Sequence, residues 1–245
     1  MKEKKDLVIK LVNVSKKYIL HHQKPTLIEN IFKLGQKKEE FWALKNISLE
    51  IKKGESYGII GNNGSGKTTL LKIISGITPP TFGTSEINGR IVSLIDVNSG
   101  FNPELTGEEN IFLNGMLLGM NKKEIKNKLD RIIRFSGIKK FIDIPFYTYS
   151  FGMKIRLGFA IAIYSNPDII LVDEILGGGD KNFVKKTLKA MQNFLSQGRT
   201  LIFVSHLLPY FTEFCQKAII LEKGEIKMIG KSKDVIKKYN PHPMS

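Results

Sequence analysis

Apolar residues form several short, nearly uninterrupted runs along this chain. Tyr57–Ile60, Ile169–Val172 and Thr200–Val204 are such runs, and they are typical of strands buried on both faces of a parallel sheet. Leu7–Val14 and Ile47–Ile51 predict two further strands, because β-branched and other apolar residues dominate them. These runs together predict a core built on a sheet.

Other stretches carry apolar residues at helical spacing. This spacing dominates over residues 108–162, and it recurs over Thr69–Ser75 and Lys181–Ser196. We expect the helix over Thr69–Ser75 to end at Gly76, since two prolines follow shortly and forbid its continuation. Strands that alternate with helices predict an α/β fold, with a helical block inserted between two halves of the sheet-based core.

Two turn signals predict hairpins. Asn88-Gly89 lies inside the strand-like stretch Glu86–Leu94, and this dipeptide is favoured in two-residue hairpin turns. Lys223-Gly224 separates the apolar segments Ala218–Leu221 and Glu225–Ile229, which predicts a second hairpin late in the chain.

The segment Ile19–Trp42 interrupts the strand pattern. Thr26 and Glu29 have the spacing of a helix capping box, and apolar residues follow on one helical face until Gly35. This predicts a short helix over Thr26–Leu34, which needs a neighbouring surface because so short a helix is marginal alone.

The net charge of the 245 residues is strongly positive. It is +15, from 38 Lys and Arg against 23 Asp and Glu. Such an excess indicates an anionic partner, such as nucleic acid, acidic lipid head groups or a phosphorylated ligand, although an ordinary lysine-rich, solvated surface explains it equally well. With 42% hydrophobic residues the chain has enough apolar side chains for a full core, which excludes an intrinsically disordered protein.

The sequence predicts neither an internal disulfide nor a membrane-spanning segment. The one cysteine, Cys215, excludes an internal disulfide, and we expect it to fill space in the core. No apolar stretch approaches the roughly 18 residues that span a bilayer, and Met1–Lys10 is too charged for a signal peptide. We therefore expect the chain to stay in the cytoplasm unless a membrane partner holds it.

Residues 61–68 read GNNGSGKT and match the pattern GxxxxGK[ST] in full. Glycines in such a loop let backbone N–H groups turn inward onto phosphate oxygens, and the helix that follows presents its positive end to the same anion. Lys67 is expected near the β- and γ-phosphates of ATP, and the Thr68 hydroxyl is a ligand for Mg²⁺. An apolar strand before the loop and a helix after it argue against a chance glycine-rich turn. The predicted nucleotide-binding residues here are Gly61, Asn62, Asn63, Gly64, Ser65, Gly66, Lys67, Thr68 and Thr69.

Two acids end the apolar run Ile169–Val172, and a histidine follows the run Thr200–Val204. Asp173 is predicted to hold Mg²⁺, and Glu174 to polarise the attacking water as general base. His206 lies just past a strand end, where open α/β sheets bind ligands, and we expect it to contact the γ-phosphate or to orient Glu174. The alternatives are an ordinary acidic strand end and a structural histidine.

Residues 149–153, YSFGM, stand just before the Asp173 strand and, with the elements above, resemble an ABC-type ATPase subunit. That family carries an LSGGQ-like signature at this place. The resemblance implies that Ser150 and Gly152 bind the ATP held by a second subunit, so that two subunits close head to tail around two ATP molecules. It also implies a P-loop NTPase (RecA-like) core with an N-terminal antiparallel β portion. A helical subdomain would be inserted at about residues 97–165 of a single nucleotide-binding domain over residues 1–245.

The same resemblance assigns roles to three further residues. Asp180, after three glycines, falls at the aspartate of the family's D-loop, and His206 falls at its switch histidine. Tyr18 falls where the family stacks an aromatic ring on adenine, the alternative being a tyrosine of the core or of a sheet edge.

A narrower resemblance comes from the stretch Phe101–Met120 and from the signature. Both resemble the ATPase subunits that power export of bacterial surface polysaccharides, a group that includes O-antigen, capsule and teichoic acid exporters, and the segment Ile19–Trp42 resembles that group as well. The resemblance implies an ATPase that acts as a homodimer with a separate transmembrane permease. The cargo would be a lipid-linked polysaccharide. The expected location is peripheral, at the cytoplasmic face of the inner membrane, and nucleic acid is not expected as a partner.

Two departures from the family pattern keep alternatives open. Most ABC ATPases carry a glutamine near the start of the helical block, whereas Ile95–Ser99 contains none, and only Asp96 or Asn98 is available to replace it. Phe151 replaces a small residue of the signature, and we expect it to point away from the nucleotide. The alternatives are a soluble ABC ATPase that acts on nucleic acid or ribosomes, an importer ATPase, and a regulator that binds ATP with little hydrolysis.

Overall fold

The computed structural model describes residues 6–20, 39–95, 100–173, 181–204 and 208–239. Its strands are β1 (Leu7–Leu20), β2 (Glu39–Lys52), β3 (Ser56–Ile60), β4 (Phe82–Ile87), β5 (Ile91–Leu94), β6 (Ile169–Asp173), β7 (Thr200–Val204), β8 (Lys217–Glu222) and β9 (Glu225–Lys231). Its α-helices are α1 (Lys67–Ile74), α2 (Gly107–Leu117), α3 (Lys122–Ser136), α4 (Phe151–Tyr164), α5 (Lys181–Ser196), α6 (Leu208–Phe214) and α7 (Ser232–Lys238). The predicted helix over Thr26–Leu34 lies outside the described residues.

The strands form two sheets. A three-stranded antiparallel sheet has the order β2-β1-β4, and a six-stranded sheet has the order β5-β6-β7-β3-β8-β9. In the larger sheet β5 to β8 run parallel and β9 runs antiparallel to β8. Every residue of β3 and β7 is buried, as their apolar runs predict. The predicted α/β fold with an N-terminal antiparallel portion is therefore confirmed.

The turn at Asn88-Gly89 corrects one prediction. It does not close a hairpin, because β4 pairs with β1 in the small sheet while β5 pairs with β6 in the large one. Val92 and Leu94 of β5 are buried beside β6, and this burial outweighs the local preference of the dipeptide for a hairpin. The turn carries the chain from one sheet to the other. The second predicted hairpin, β8 and β9 around Lys223-Gly224, is confirmed.

Apolar side chains collect in three clusters. The first fills the space between the two sheets and includes Ile9, Leu44 and Ile59, together with Leu70 of α1. The second covers the other face of the large sheet with α4, α5 and α6. The third lies among α2, α3 and α4, with Ile125 at its centre. The third cluster gives the helical block a core of its own.

Local signals set the ends of these helices. Thr106 with Glu109, and Asn121 with Glu124, form complete capping boxes at the starts of α2 and α3. Gly137 adopts a left-handed conformation (φ 69°) and ends α3. Among the described residues, no helix combines the length and the apolar character that crossing a membrane requires.

Candidate functional site

The loop of residues 61–66 connects buried β3 to α1. The residue that caps α1 is Gly66, in a left-handed conformation (φ 107°), and no side chain caps the helix. The first turn of α1 also carries no acidic residue. Cap side chains accept hydrogen bonds from an N–H group in the first turn of α2, α3 and α4, whereas no side chain does so at α1, whose first N–H groups can bind an anion.

Lys67 closes the loop in this structure. Its Nζ donates hydrogen bonds to the carbonyl oxygens of Gly61 (2.7 Å) and Asn62 (3.0 Å). Loop carbonyls therefore hold the ammonium at the mouth of the helix N-terminus, where a phosphate group would compete for it.

The β8–β9 turn packs against the phosphate loop and is hydrogen-bonded to it. The Gly224 N–H donates to the carbonyl of Ser65 (3.0 Å), and the Gly224 carbonyl accepts from the N–H of Lys45 (2.8 Å). A Cβ at Gly224 would lie 2.8 Å from the carbonyl oxygen of Ala43, and one at Gly66 would lie 2.5 Å from the same oxygen. Glycine is needed at both positions because three chain segments meet there.

A pocket of ≈ 260 Å³ opens over the loop and brings together residues from three elements. Residues of the loop and α1 that line it are Asn63, Gly64, Gly66, Lys67, Thr68 and Thr69. Asp173, at the end of β6, lines it from the large sheet, and Phe41 and Ala43 line it from β2. The structure thus joins Asp173 to the loop although about a hundred residues separate them in sequence.

The pocket has a donor set that fits Mg²⁺. The Thr68 hydroxyl and the Asp173 carboxylate are hard oxygen ligands, and Mg²⁺ in nucleotide sites takes one or two such protein ligands together with water and phosphate oxygens. No group of three or more His, Cys, Asp or Glu side chains suited to a metal occurs among the described residues. A metal in this pocket would therefore depend on the phosphates of a bound nucleotide.

An aromatic pair stands at the rim of the pocket. Tyr18 of β1 lies directly opposite Phe41 of β2 in the antiparallel ladder, so their side chains share one face of the sheet. Both rings are partly exposed, Tyr18 at 37% and Phe41 at 47%. Phe41 rather than Tyr18 is in the pocket wall, and the sequence reasoning missed Phe41. Its cross-strand position would have identified it only if the register of the two strands had been known.

Within residues 149–153, Tyr149 is buried, whereas Ser150 and Phe151 are exposed. Tyr149 is buried, its hydroxyl donates to the carbonyl of Phe141, and burial raises its pKa to about 12. Ser150 caps α4, with its hydroxyl accepting from the Met153 N–H (3.3 Å). Phe151 is 68% exposed. Ser150 and Gly152 therefore lie at an outward-facing helix N-terminus.

A comparison of the sequence with models of protein families shows the family of this chain. The model of the family described as ABC transporter matches residues 44–177, more than half of the chain. The chain belongs to the ABC transporter family. The resemblance to ABC ATPase subunits that the motifs predict is confirmed.

Curated members of this family include close relatives. The teichoic acids export ATP-binding protein TagH of Enterococcus faecalis is 44% identical over 236 residues, which are 96% of this chain and 53% of that protein. The O-antigen export system ATP-binding protein RfbB of Myxococcus xanthus is 47% identical over 80% of this chain and 45% of its own length. TagH of Listeria innocua is 42% identical over 96% of this chain and 70% of its own length. The chain thus spans about half the length of the first two relatives. Their names confirm the narrower resemblance to polysaccharide exporters.

Solved ABC cassettes share the fold. The dimeric cassette MJ0796, bound to ADP and phosphate after hydrolysis, superposes with a TM-score of 0.75 at 26% identity, over 91% of this chain and 98% of its own. The ATP-binding subunit of another ABC transporter superposes with a TM-score of 0.78 at 22% identity, over 94% of this chain and 92% of its own.

Three predicted residues of this ABC protein, Glu174, Asp180 and His206, lie outside the described residues, as do Asp96 and Asn98. Their roles stay predictions. Sequence reasoning also missed the contact between the Tyr239 hydroxyl, after α7, and Asn62 Oδ1 (3.3 Å). A separation of 177 residues leaves no local signal for such a contact.

Proposed function

We propose that the chain is the ATP-hydrolysing subunit of an ABC exporter, and that it acts as a homodimer. The observation that carries the proposal is the uncapped N-terminus of α1, with the Lys67 ammonium and the Asp173 carboxylate in the same pocket. Positive groups that converge on a helix N-terminus suit a polyphosphate, and an acid at the pocket edge suits its metal.

Within this proposal each residue has one task. N–H groups from Gly64 to Thr69 bind phosphate oxygens, and Lys67 moves from the loop carbonyls onto the β- and γ-phosphates. Thr68 and Asp173 would hold Mg²⁺, which neutralises charge that develops on the phosphates. Tyr18 and Phe41 contact the adenine.

The remaining residues act on the attacking water and across the dimer. Glu174 polarises the water, and His206 contacts the γ-phosphate or orients Glu174. Ser150 and Gly152 of one subunit, together with Asp180, complete the site of the other. The exposure of Ser150 and Phe151 supports this, since an exposed aromatic at an uncovered helix N-terminus suits burial by a partner.

We further propose that ATP hydrolysis drives export of a lipid-linked surface polysaccharide such as a teichoic acid or an O-antigen. The names of the relatives support this cargo, and the segment of about 97–165 would then be the inserted helical subdomain of a single domain over residues 1–245. A separate transmembrane permease would hold the subunit at the cytoplasmic face of the membrane. The net charge of +15 suits a surface of anionic lipids.

The test of the enzymatic proposal is the variant Glu174→Gln. We expect it to bind ATP with the wild-type affinity and to lose at least about 100-fold in turnover, which is the order of magnitude of general acid–base catalysis. Glu86→Gln, an exposed acid of β4, is the matched control and should keep wild-type turnover. Turnover near wild type in Glu174→Gln would contradict the assigned base.

The test of the cargo uses cells that lack this gene. We expect the wild-type chain, but not Glu174→Gln, to restore surface polysaccharide, and the chain to sediment with membranes only when its permease is present. Restoration by Glu174→Gln, or a chain that sediments with ribosomes or nucleic acid instead, would contradict the export proposal.

A further inference from the structure

A basic cleft lies among α3, α5 and the C-terminal end of α4, remote from the phosphate loop. Its volume is ≈ 710 Å³, which is within the range of small-molecule sites. Five cationic side chains line it, and its described lining includes no acidic residue. The cations are Lys128, Arg131, Lys186, Lys189 and Arg199.

Two of these cations are fixed in place by neutral groups. Lys128 Nζ donates to the carbonyl of Tyr164 (2.9 Å), and the Arg199 guanidinium donates to the carbonyl of Pro167 (2.8 Å) and to the Asn166 side chain. Carbonyl and amide oxygens orient these side chains without neutralising them. These two cationic groups are therefore held in a defined position in the cleft.

The other three cations have no neutralising partner within the described part of the chain. No hydrogen bond or ion pair joins the side chains of Arg131, Lys186 or Lys189 to another described residue. Lys217, by contrast, is paired with Glu55 at 2.6 Å. An anion from outside the chain is the natural partner for the uncompensated charge.

The composition of α5 concentrates this charge. The helix carries four lysines and no acidic residue. Lys189 lies three positions from Lys186 and four from Lys185, and like charges at these spacings destabilise a helix. Binding of an anion would offset this repulsion.

Aromatic residues form the apolar part of the cleft. Phe135, Tyr164 and Phe194 line it, and the Arg199 guanidinium lies 5.4 Å from the centre of the Phe194 ring. A second cleft of ≈ 340 Å³ shares Arg131, Phe135, Tyr164 and Lys186 with the first and adds Arg134. The joined space has room for a ligand larger than a single phosphate.

The basic cleft lies away from the end of α4 that the proposed dimer would cover. Ser150 begins α4 and Tyr164 ends it, and a 14-residue helix is about 21 Å long. The proposed closure would bury the Ser150 end of α4, and Tyr164 of the cleft is at the other end.

We propose that the basic cleft binds a ligand with two or more phosphate groups, at a site separate from the phosphate loop. Guanidinium groups bind phosphate oxygens in pairs, and lysines add point charges around them. Free polyphosphorylated metabolites and phosphorylated lipid head groups share this chemistry.

The test measures binding of inorganic tripolyphosphate by calorimetry, with the phosphate loop saturated by Mg-ADP. The variant Arg131→Gln/Lys186→Gln/Lys189→Gln removes the three unpaired cations of the cleft. The control Lys122→Gln/Lys123→Gln/Lys126→Gln removes the same charge from exposed positions of α3 outside the lining. A parallel arm measures binding to vesicles that contain cardiolipin, a lipid with two phosphate groups.

We expect the cleft variant to lose roughly tenfold or more in affinity for tripolyphosphate, for the vesicles or for both, since each lost charge-assisted contact weakens binding. The control should lose less than about twofold, and both variants should keep wild-type unfolding temperature and ATPase activity. A loss of tripolyphosphate binding alone would indicate a free ligand, and a loss of vesicle binding alone would indicate a lipid head group. Equal losses in both variants, or no binding by the wild type in either arm, would overturn the proposal.

Discussion

At the scale of single residues, Gly224 holds three chain segments together under the phosphate loop. Its φ is 82°, its N–H holds the Ser65 carbonyl, and a Cβ would press on the backbone of Ala43. Gly198 has a similar φ of 70° but open space around it. The two positions therefore separate the cost of a left-handed conformation from the cost of a steric clash.

We predict that Gly198→Ala lowers the free energy of unfolding by about 1–2 kcal/mol, the cost of a left-handed alanine. Gly224→Ala should lower it further and should also weaken ATP binding, because the backbone under Ser65 must shift. Urea unfolding and nucleotide titration measure the two effects. Equal stability losses and an unchanged ATP affinity would contradict the role of Gly224.

The aromatic pair supplies a second residue-scale prediction. Because Tyr18 and Phe41 share one face of the ladder beside the pocket, Phe41→Ala should weaken ATP binding by about 1–3 kcal/mol, the range for base stacking. Tyr18→Ala should weaken it as well, and neither should change the affinity for inorganic pyrophosphate, which has no base. An equal loss for pyrophosphate would indicate damage to the loop instead. Trp42→Ala, the next residue along β2, is the control, since its ring stacks on Phe82 and does not line the pocket.

At this scale the sequence predicted the residues whose chemistry is local. The phosphate loop and Ser150 carry recognisable spacing, and the structure joins the loop to Asp173 in one pocket. Phe41 and Gly224 could not be predicted as site residues, because strand register and the docking of a distant hairpin bring them there.

At the scale of helices and strands, the start of α2 shows how the stability of one helix end depends on pH. The backbone N–H and hydroxyl of Thr106 donate to the Glu109 carboxylate, and these bonds hold the pKa of Glu109 below its usual value. A carboxyl whose pKa is lowered on folding stabilises the protein above its unfolded pKa. That stabilisation is lost as the pH falls through the folded pKa.

We predict that Glu109→Ala is less stable than wild type at neutral pH and that the difference shrinks as the pH falls below the usual pKa of glutamate. Urea unfolding at a series of pH values measures it. Glu108→Ala removes a neighbouring acid of the same first turn that accepts no such bonds from Thr106, and it should show the smaller effect at neutral pH. A difference between Glu109→Ala and wild type that grows in acid would contradict the sign.

The elements also show where local signals fail. The buried apolar runs predict strands well, because their cause is local. The capping boxes of α2 and α3 are local signals as well, although the sequence reasoning did not use them. Asn88-Gly89 predicts a hairpin, yet pairing of β5 with β6 in the larger sheet decides the outcome. Tertiary burial of Val92 and Leu94 supplies more free energy than a turn preference.

For the whole molecule, the central claim is that one chain carries two halves of different ATP sites. In the proposed dimer the phosphate loop and Asp173 would form one half, and the exposed N-terminus of α4 would form the other. Head-to-tail closure of two copies by a two-fold axis would complete both sites at once. The dimeric cassette MJ0796 has the same fold.

The measurement that tests this claim most directly is the mass of Glu174→Gln in solution by light scattering, with and without ATP. We predict a mass near 27.7 kDa without nucleotide and twice that value with ATP. Adding Ser150→Arg should abolish the ATP-induced dimer while ATP still binds to the phosphate loop. A Glu174→Gln chain that binds ATP yet stays monomeric, or a dimer that Ser150→Arg leaves intact, would contradict the account.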